Sequence, residues 1–159
     1  MNTVYVDGVY IGKAKNLGQG LVSDTDKYPV ANRLWLWPQG LGSDEHGDPR
    51  FHTGPERALH HYPAEHYDHW RKRYPQFAWC APAFGENLST HGLTEEQVCL
   101  GDLFRWGGAL LQVSQPRSPC YRLSHRWGLA NLPQQAQDNG RCGWFYRVLK
   151  PGFVQADEP

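Results

Sequence analysis

The residues best suited to chemistry lie in Ser114-Gln115-Pro116-Arg117-Ser118-Pro119-Cys120-Tyr121-Arg122. Pro116 and Pro119 fix the backbone on either side of Arg117 and Ser118, so Cys120 is presented from a stiff turn between two arginines. Nearby guanidinium charge favours thiolate over thiol, and the thiolate is the form that attacks electrophiles or binds a soft metal. A cysteine is equally at home as a small buried apolar group, and its type alone leaves both roles open.

A second segment, His52-Thr53-Gly54-Pro55-Glu56-Arg57-Ala58-Leu59-His60-His61-Tyr62-Pro63, reads as a turn leading into a helix. Gly54 and Pro55 allow close backbone approach, and Arg57 offers a planar fork suited to phosphate or another oxyanion. An ordinary surface loop fits this segment as well. In Phe84-Gly85-Glu86-Asn87-Leu88, Gly85 permits a tight bend and the Asn87 amide can both donate to and accept from a heterocycle. The histidines His60, His61, His66 and His69 crowd one region, yet no H-E-x-x-H occurs, and a helical His66, His69, Arg73 row reads as a solvated polar face. Cys80, Cys99, Cys120 and Cys142 include no C-x-x-C pair, so neither a zinc knuckle nor a thioredoxin-type site is indicated.

The elements that must position these residues are mostly strands. Gly and Pro make up 29 of 159 residues, against a usual share of about 12%, which favours short strands and turns over long helices. Val4 to Ile11 around Asp7-Gly8 predicts a hairpin. Leu17 to Lys27 reads as a loop, Leu34 to Trp37 as a strand covered on both faces, and Gly40 to Phe51 as an exposed loop. One helix is predicted from Pro63 to Arg73, with Tyr67, Trp70 and Tyr74 as its apolar stripe. Val98 to Phe104 and Ala109 to Val113 read as strands joined through Trp106-Gly107-Gly108, and Trp144 to Leu149 as another before the Pro151-Gly152 turn. The polar end, Ala156 to Pro159, is expected to fray.

Sixteen basic residues balance sixteen acidic ones, so a nucleic-acid polymer or an anionic membrane finds no general electrostatic handle. Every apolar run is too short to span a bilayer, and the first residues lack the basic-then-apolar pattern of a secretory signal. One domain over residues 1–159, in the cytoplasm, is the expectation.

Taken in order, His52-Thr53-Gly54-Pro55-Glu56-Arg57-Ala58-Leu59, Phe84-Gly85-Glu86-Asn87-Leu88, Gly101-Asp102 and Pro116-Arg117-Ser118-Pro119-Cys120-Tyr121-Arg122 resemble the MOSC family, in its YiiM-like branch. The resemblance runs from about Tyr10-Ile11-Gly12-Lys13 to Gly143 and the strand after it. It implies a mainly β fold, a MOSC-type β-barrel with a few short helices. It also implies a molybdenum cofactor, Mo-molybdopterin, with Cys120 as the metal ligand, a soft donor suited to a sulfur-rich centre. Arg57, Arg117 and Arg122 would meet phosphate and oxo groups and Asn87 the pterin, while Lys13, His52, Gly54 and Ser118 complete the cofactor-binding set. The sequence departs from the family at Thr53, Ser43 and His46, and the C-terminal helical segment of YiiM-like proteins is expected to be absent.

The function implied is an oxidoreductase that detoxifies N-hydroxylated compounds, such as hydroxylaminopurine-type bases, with electrons from a separate donor protein. Trp35, Trp37 and Tyr62 could stack on a planar base, although a core role suits them too. The alternatives are a carrier without turnover, holding a persulfide on Cys120 or the cofactor itself, and a structural barrel that binds a partner through a Trp-rich face.

Overall fold

The computed structural model describes residues 3–12, 15–18, 21–23, 27–42, 55–118, 121–156 and 159. Its centre is a curled seven-stranded sheet in the order β4-β1-β8-β7-β11-β10-β9. These strands are β1 (Val6–Gly12), β4 (Lys27–Pro29), β7 (Leu59–Pro63), β8 (Leu88–Thr90), β9 (Leu103–Trp106), β10 (Ala109–Pro116) and β11 (Trp144–Lys150). All neighbours run antiparallel except β7 and β8. Three further strands, β5 (Leu34–Trp37), β6 (Gly40–Leu41) and β12 (Gly152–Val154), form a small second sheet in the order β12-β5-β6. A separate hairpin joins β2 (Lys15–Gly18) to β3 (Leu21–Ser23).

The predicted mainly β architecture with short helices is what the chain adopts. The Gly107-Gly108 connection turns β9 into β10 in register, with Trp106 opposite Ala109 and Gly107 at positive φ, as a two-residue hairpin loop requires.

Several local expectations are overturned. Asp7-Gly8 is no hairpin turn: β1 runs straight through it, with a bulge between Val6 and Gly8 against β8. Val6, Val9 and Ile11 all reach the barrel core, so a central strand buries more apolar surface than a hairpin at the edge would. The expected 17–27 loop contains the β2–β3 hairpin and the start of β4, and the expected 40–51 loop begins with β6, whose two residues are buried. Val98 and its neighbours up to Gly101 are not a strand, and β9 begins only at Leu103. In β5 only Leu36 is fully buried, and Trp37 is 51% exposed. The second face of that strand is an aromatic surface on which the edge of Trp35 meets Phe153 at 4.8 Å.

Helix α1 (His66–Arg73) starts three residues later than predicted, because Pro63 belongs to β7 and sits opposite Thr90. Its stripe is as expected: Tyr67 and Trp70 are buried, and Tyr74 packs at the edge. Helices α2 (Tyr121–Trp127) and α3 (Leu132–Asn139) were not foreseen. Polar Gln residues obscure α3, which buries only Leu132 and Ala136 and stops at Gly140 in the left-handed conformation.

Two apolar cores result. The barrel core joins Val9, Ile11, Leu36, Leu59, Leu111, Val113 and Val154, among others, while a second, aromatic core packs Tyr62, Tyr67, Trp70, Trp79 and Phe84 beneath the helices. Tyr62 stacks on Phe84 with ring centroids 4.4 Å apart and is fully buried, so it is a core residue and not a platform for a base.

Gly143 shows how closely β11 approaches β7. It has φ 75, and a Cβ there would run into the His61 carbonyl oxygen. Gly140, with φ 74, has open space around it. Gly140→Ala is therefore expected to cost about 1 kcal/mol from backbone conformation alone, and Gly143→Ala about 3 kcal/mol or more, since backbone must also shift. Urea midpoints of the two variants check this ordering.

Candidate functional site

The candidate site is built around β7, whose alternation sends Leu59 and His61 into the barrel and His60 and Tyr62 towards the helical side. His61 is held between Tyr146 Oη at 2.9 Å and Thr90 Oγ1 at 2.7 Å, one ring nitrogen donating and the other accepting. That arrangement suits a neutral imidazole, and burial lowers its pKa to about 3. His60 is also held well below the usual histidine range, by burial first and then by the charge of Arg117, with Lys27 and His61 adding to it.

Arg117 follows β10 directly. Its N–H donates to Gly143 O at 3.1 Å, and its side chain is only 6% exposed. Its Nη1 is buried and has no hydrogen-bond partner among the described residues. Its charge reaches His60, Glu86 and Cys142. The segment it leans on is secured at successive residues. Tyr62 Oη donates to Arg141 O at 3.0 Å, His60 Nε2 lies 3.3 Å from Cys142 O, and Gly143 N–H donates to Glu95 Oε2 at 2.9 Å. Glu95 Oε1 in turn meets His66 Nε2 at 2.7 Å.

Asn87 follows Gly85, which bends the chain at φ 78. Its Oδ1 accepts His60 N–H at 3.0 Å, and its Nδ2 donates to Tyr10 O at 3.1 Å, so the amide ties β1 to β7. Arg57 ends a short 3-10 turn, Pro55–Arg57, and lies 5.7 Å over the Phe145 ring, which is itself 5.3 Å from the His60 ring.

Arg57, Asn87 and Arg117 are therefore grouped around His60, Arg57 through the Phe145 ring, Asn87 through the His60 backbone and Arg117 through its charge. Ser118 is exposed, and Arg122 lies on α2 with its side chain outside the described set. Lys13, His52, Gly54 and Cys120 lie outside the described residues, as do Ser43, His46 and Thr53. In the sequence, Cys120 immediately precedes the first residue of α2, and Lys13 immediately follows β1.

Sequence reasoning missed Lys27, which is only 8% exposed, pairs in register with Gly12 and contributes its charge to the field at His60. A lysine in a Gly- and Asp-rich stretch carries no signal of burial. It also missed Glu86, read as a turn residue but fully buried, and Glu95, for which the Thr94-Glu95-Glu96-Gln97 capping box was the available cue. His66 and His69 are not a free solvated row, since Glu95 holds one and Asn139 approaches the other at 3.3 Å. Among the described residues no group of three or more His, Cys, Asp or Glu could hold a metal ion. Cys80, Cys99 and Cys142 are free thiols, and burial pushes Cys142 up to about 11, against the pull of Arg117.

A histidine whose folded pKa is depressed contributes stability that is complete above its ordinary value and is lost as pH falls towards the folded one. For His61 that window runs from the ordinary histidine value of 6.5 down to about 3, and His60 acts in the same direction. Urea midpoints are expected to fall as pH drops from about 6.5 to about 4, with the His61 ring remaining neutral by NMR throughout. A His61 resonance that titrates near its ordinary value in the folded protein would remove this account.

The family model for the MOSC domain matches residues 48–159. The chain is 49% identical to Protein YiiM of Escherichia coli (strain K12) over 157 residues, which is 98% of this chain and 70% of that protein. A protein named Reductase from Gibberella moniliformis is 40% identical over 141 residues, covering 87% of this chain but 25% of its own length. The crystal structure of YiiM from Escherichia coli superposes with a TM-score of 0.81 at 43% identity, over 99% of this chain and 68% of that one. The chain thus spans about two thirds of the YiiM length, and the fold, the motif order and the relatives agree: it belongs to the MOSC domain family, in the YiiM-like branch.

Proposed function

We propose that the protein is a molybdenum-cofactor-binding oxidoreductase that reduces N-hydroxylated compounds, with Cys120 as the metal ligand. The observation that carries this reading is the buried Arg117 guanidinium, whose Nη1 has no partner among the described residues. A buried, unsatisfied cationic donor is costly, and a phosphate or oxo anion relieves that cost. The residues fit such a group: Arg117 and Lys27 supply positive charge, and Arg57 stands nearby on the face of Phe145. His60 is neutral, so it adds no charge and can hydrogen-bond.

When bound, the cofactor supplies a two-electron centre able to take the oxygen of an N–OH group and leave an amine. The chain's own residues do the rest. Arg117 and Lys27 hold anionic groups in a site from which water is largely excluded, where charge interactions are stronger than in solvent. Asn87 locks β1 to β7 and so fixes the floor of the site. The Arg141 to Gly143 strap keeps the Arg117 backbone in place. Electrons come from a separate donor protein. The fungal relative's name, Reductase, supports a redox role over a carrier.

Protein made in a host that synthesises molybdenum cofactor is expected to carry about one molybdenum and one pterin per chain. Cys120→Ala should lose the metal or hold it labile, and Arg117→Met should retain at least about tenfold less pterin. The wild type, given a reductase partner, should convert hydroxylaminopurine to the amine, and Cys120→Ala should not. Absence of molybdenum and pterin from the wild type overturns the reading; cofactor retained without turnover of any N-hydroxylated base replaces it with a carrier.

A further inference from the structure

Glu86 is a buried acid that the proposed chemistry does not use. It is fully buried, Oε1 accepts Phe84 N–H at 3.0 Å, and Oε2 accepts the Tyr67 hydroxyl at 2.5 Å. Among the described residues no lysine or arginine makes ion-pair contact with it. The groups facing it come from four elements: Tyr67 on α1, Tyr62 on β7, Tyr10 on β1, and Arg117 after β10. The three phenols are pushed up by burial and by Glu86 itself, and they stay neutral. Arg117 is therefore the one charged side chain in this group that favours a carboxylate over a carboxylic acid. It is also the residue whose Nη1 has no partner among the described residues.

The two facts are coupled. An anion docked on Arg117 neutralises the charge that supports the Glu86 carboxylate and places a like charge near it, so the acid form becomes the cheaper one. We propose that Glu86 takes up a proton from solvent when an anion docks on Arg117, so that the buried site binds anion and proton together. The inference rests on reading Arg117 as an anion site. The anion brings its negative charge to Arg117, and one proton from solvent cancels the single charge of Glu86, with no change of oxidation state. Burial raises Glu86 to about 7, with the Tyr67 hydrogen bond, backbone N–H groups and Arg117 opposing that rise, so a modest change in local field shifts its ionisation near neutrality. His60 also senses Arg117 but lies far lower, so its own uptake would appear only in acid.

The probe is sulfate, which does not titrate near neutrality. Titration calorimetry of the wild type at about pH 7, in two buffers of different ionisation enthalpy, should show uptake of up to about half a proton per sulfate. Affinity should fall by up to about tenfold per pH unit above neutrality. Glu86→Gln should bind sulfate without uptake and with a flat pH profile. As a check that needs no variant, the infrared carbonyl band of a protonated buried carboxyl should grow when sulfate is added to the wild type. Sulfate binding that depends on Arg117 but takes up no proton, or takes up as much in Glu86→Gln, overturns the coupling alone. Sulfate that fails to bind, or binds Arg117→Met as tightly, overturns the anion-site reading and the coupling with it.

Discussion

The constraint on which the rest depends is that β7 is buried on both faces. Its neighbours β8 and β11 occupy both edges, the barrel core lies on one side and the aromatic core on the other. A strand so enclosed has no solvent to satisfy its polar side chains, yet it carries two adjacent histidines. His61 finds two hydroxyls inside the barrel, and His60 is held by Asn87 through its backbone and by Cys142 O through its ring. Both must be neutral, since an imidazolium in either place would be desolvated and unpaired. The strand therefore delivers to the site a hydrogen-bonding group that carries no charge.

Positive charge enters from outside that strand. Arg117 arrives from the end of β10 and Lys27 from β4, and both act on His60. Among the described residues the buried acid on which Arg117 acts is Glu86, and its own burial opposes ionisation. A buried guanidinium with one donor unpartnered among the described residues, facing an acid that resists ionising, would favour an anion more strongly than an exposed arginine does. The close approach at Gly143 serves the same end: it lets the strap that anchors Arg117 lie directly against β7, which a side chain there would prevent.

How much of this was legible in the sequence follows from the range of the interactions involved. The motif segments were legible because local chemistry marks them: prolines around Arg117, a glycine before Glu86 and Asn87, basic residues closing α1. The β9–β10 hairpin and β11 were legible for the same reason. The Asp7-Gly8 turn signal failed because turn propensity is local, whereas pairing of β1 with both β4 and β8 is not. The late start of α1 has the same origin, since Pro63 is claimed by a parallel partner 27 residues away. Lys27 was invisible because nothing in a Gly- and Asp-rich stretch distinguishes a lysine that turns inward from one in solvent.

Glu86 illustrates the deeper limit. In sequence it is the middle of a plain turn, and Gly-Glu-Asn explains itself without function. What gives it meaning is that three tyrosines from three elements close around it while one arginine from a fourth reaches it only through space. None of those groups is closer than nineteen residues in sequence, and only the link to Phe84 is local. The same geometry explains why a turn residue is an acid at all. Phe84 N–H and the Tyr67 hydroxyl donate to two different oxygens, and a glutamine would offer an NH2 donor in place of one of those acceptors. A carboxyl also differs from an amide in being able to take up a proton, and the field of Arg117, whose Nη1 has no partner among the described residues, acts on it. The coupling between the two side chains involves no metal and no substrate, only the field an anion creates when it docks.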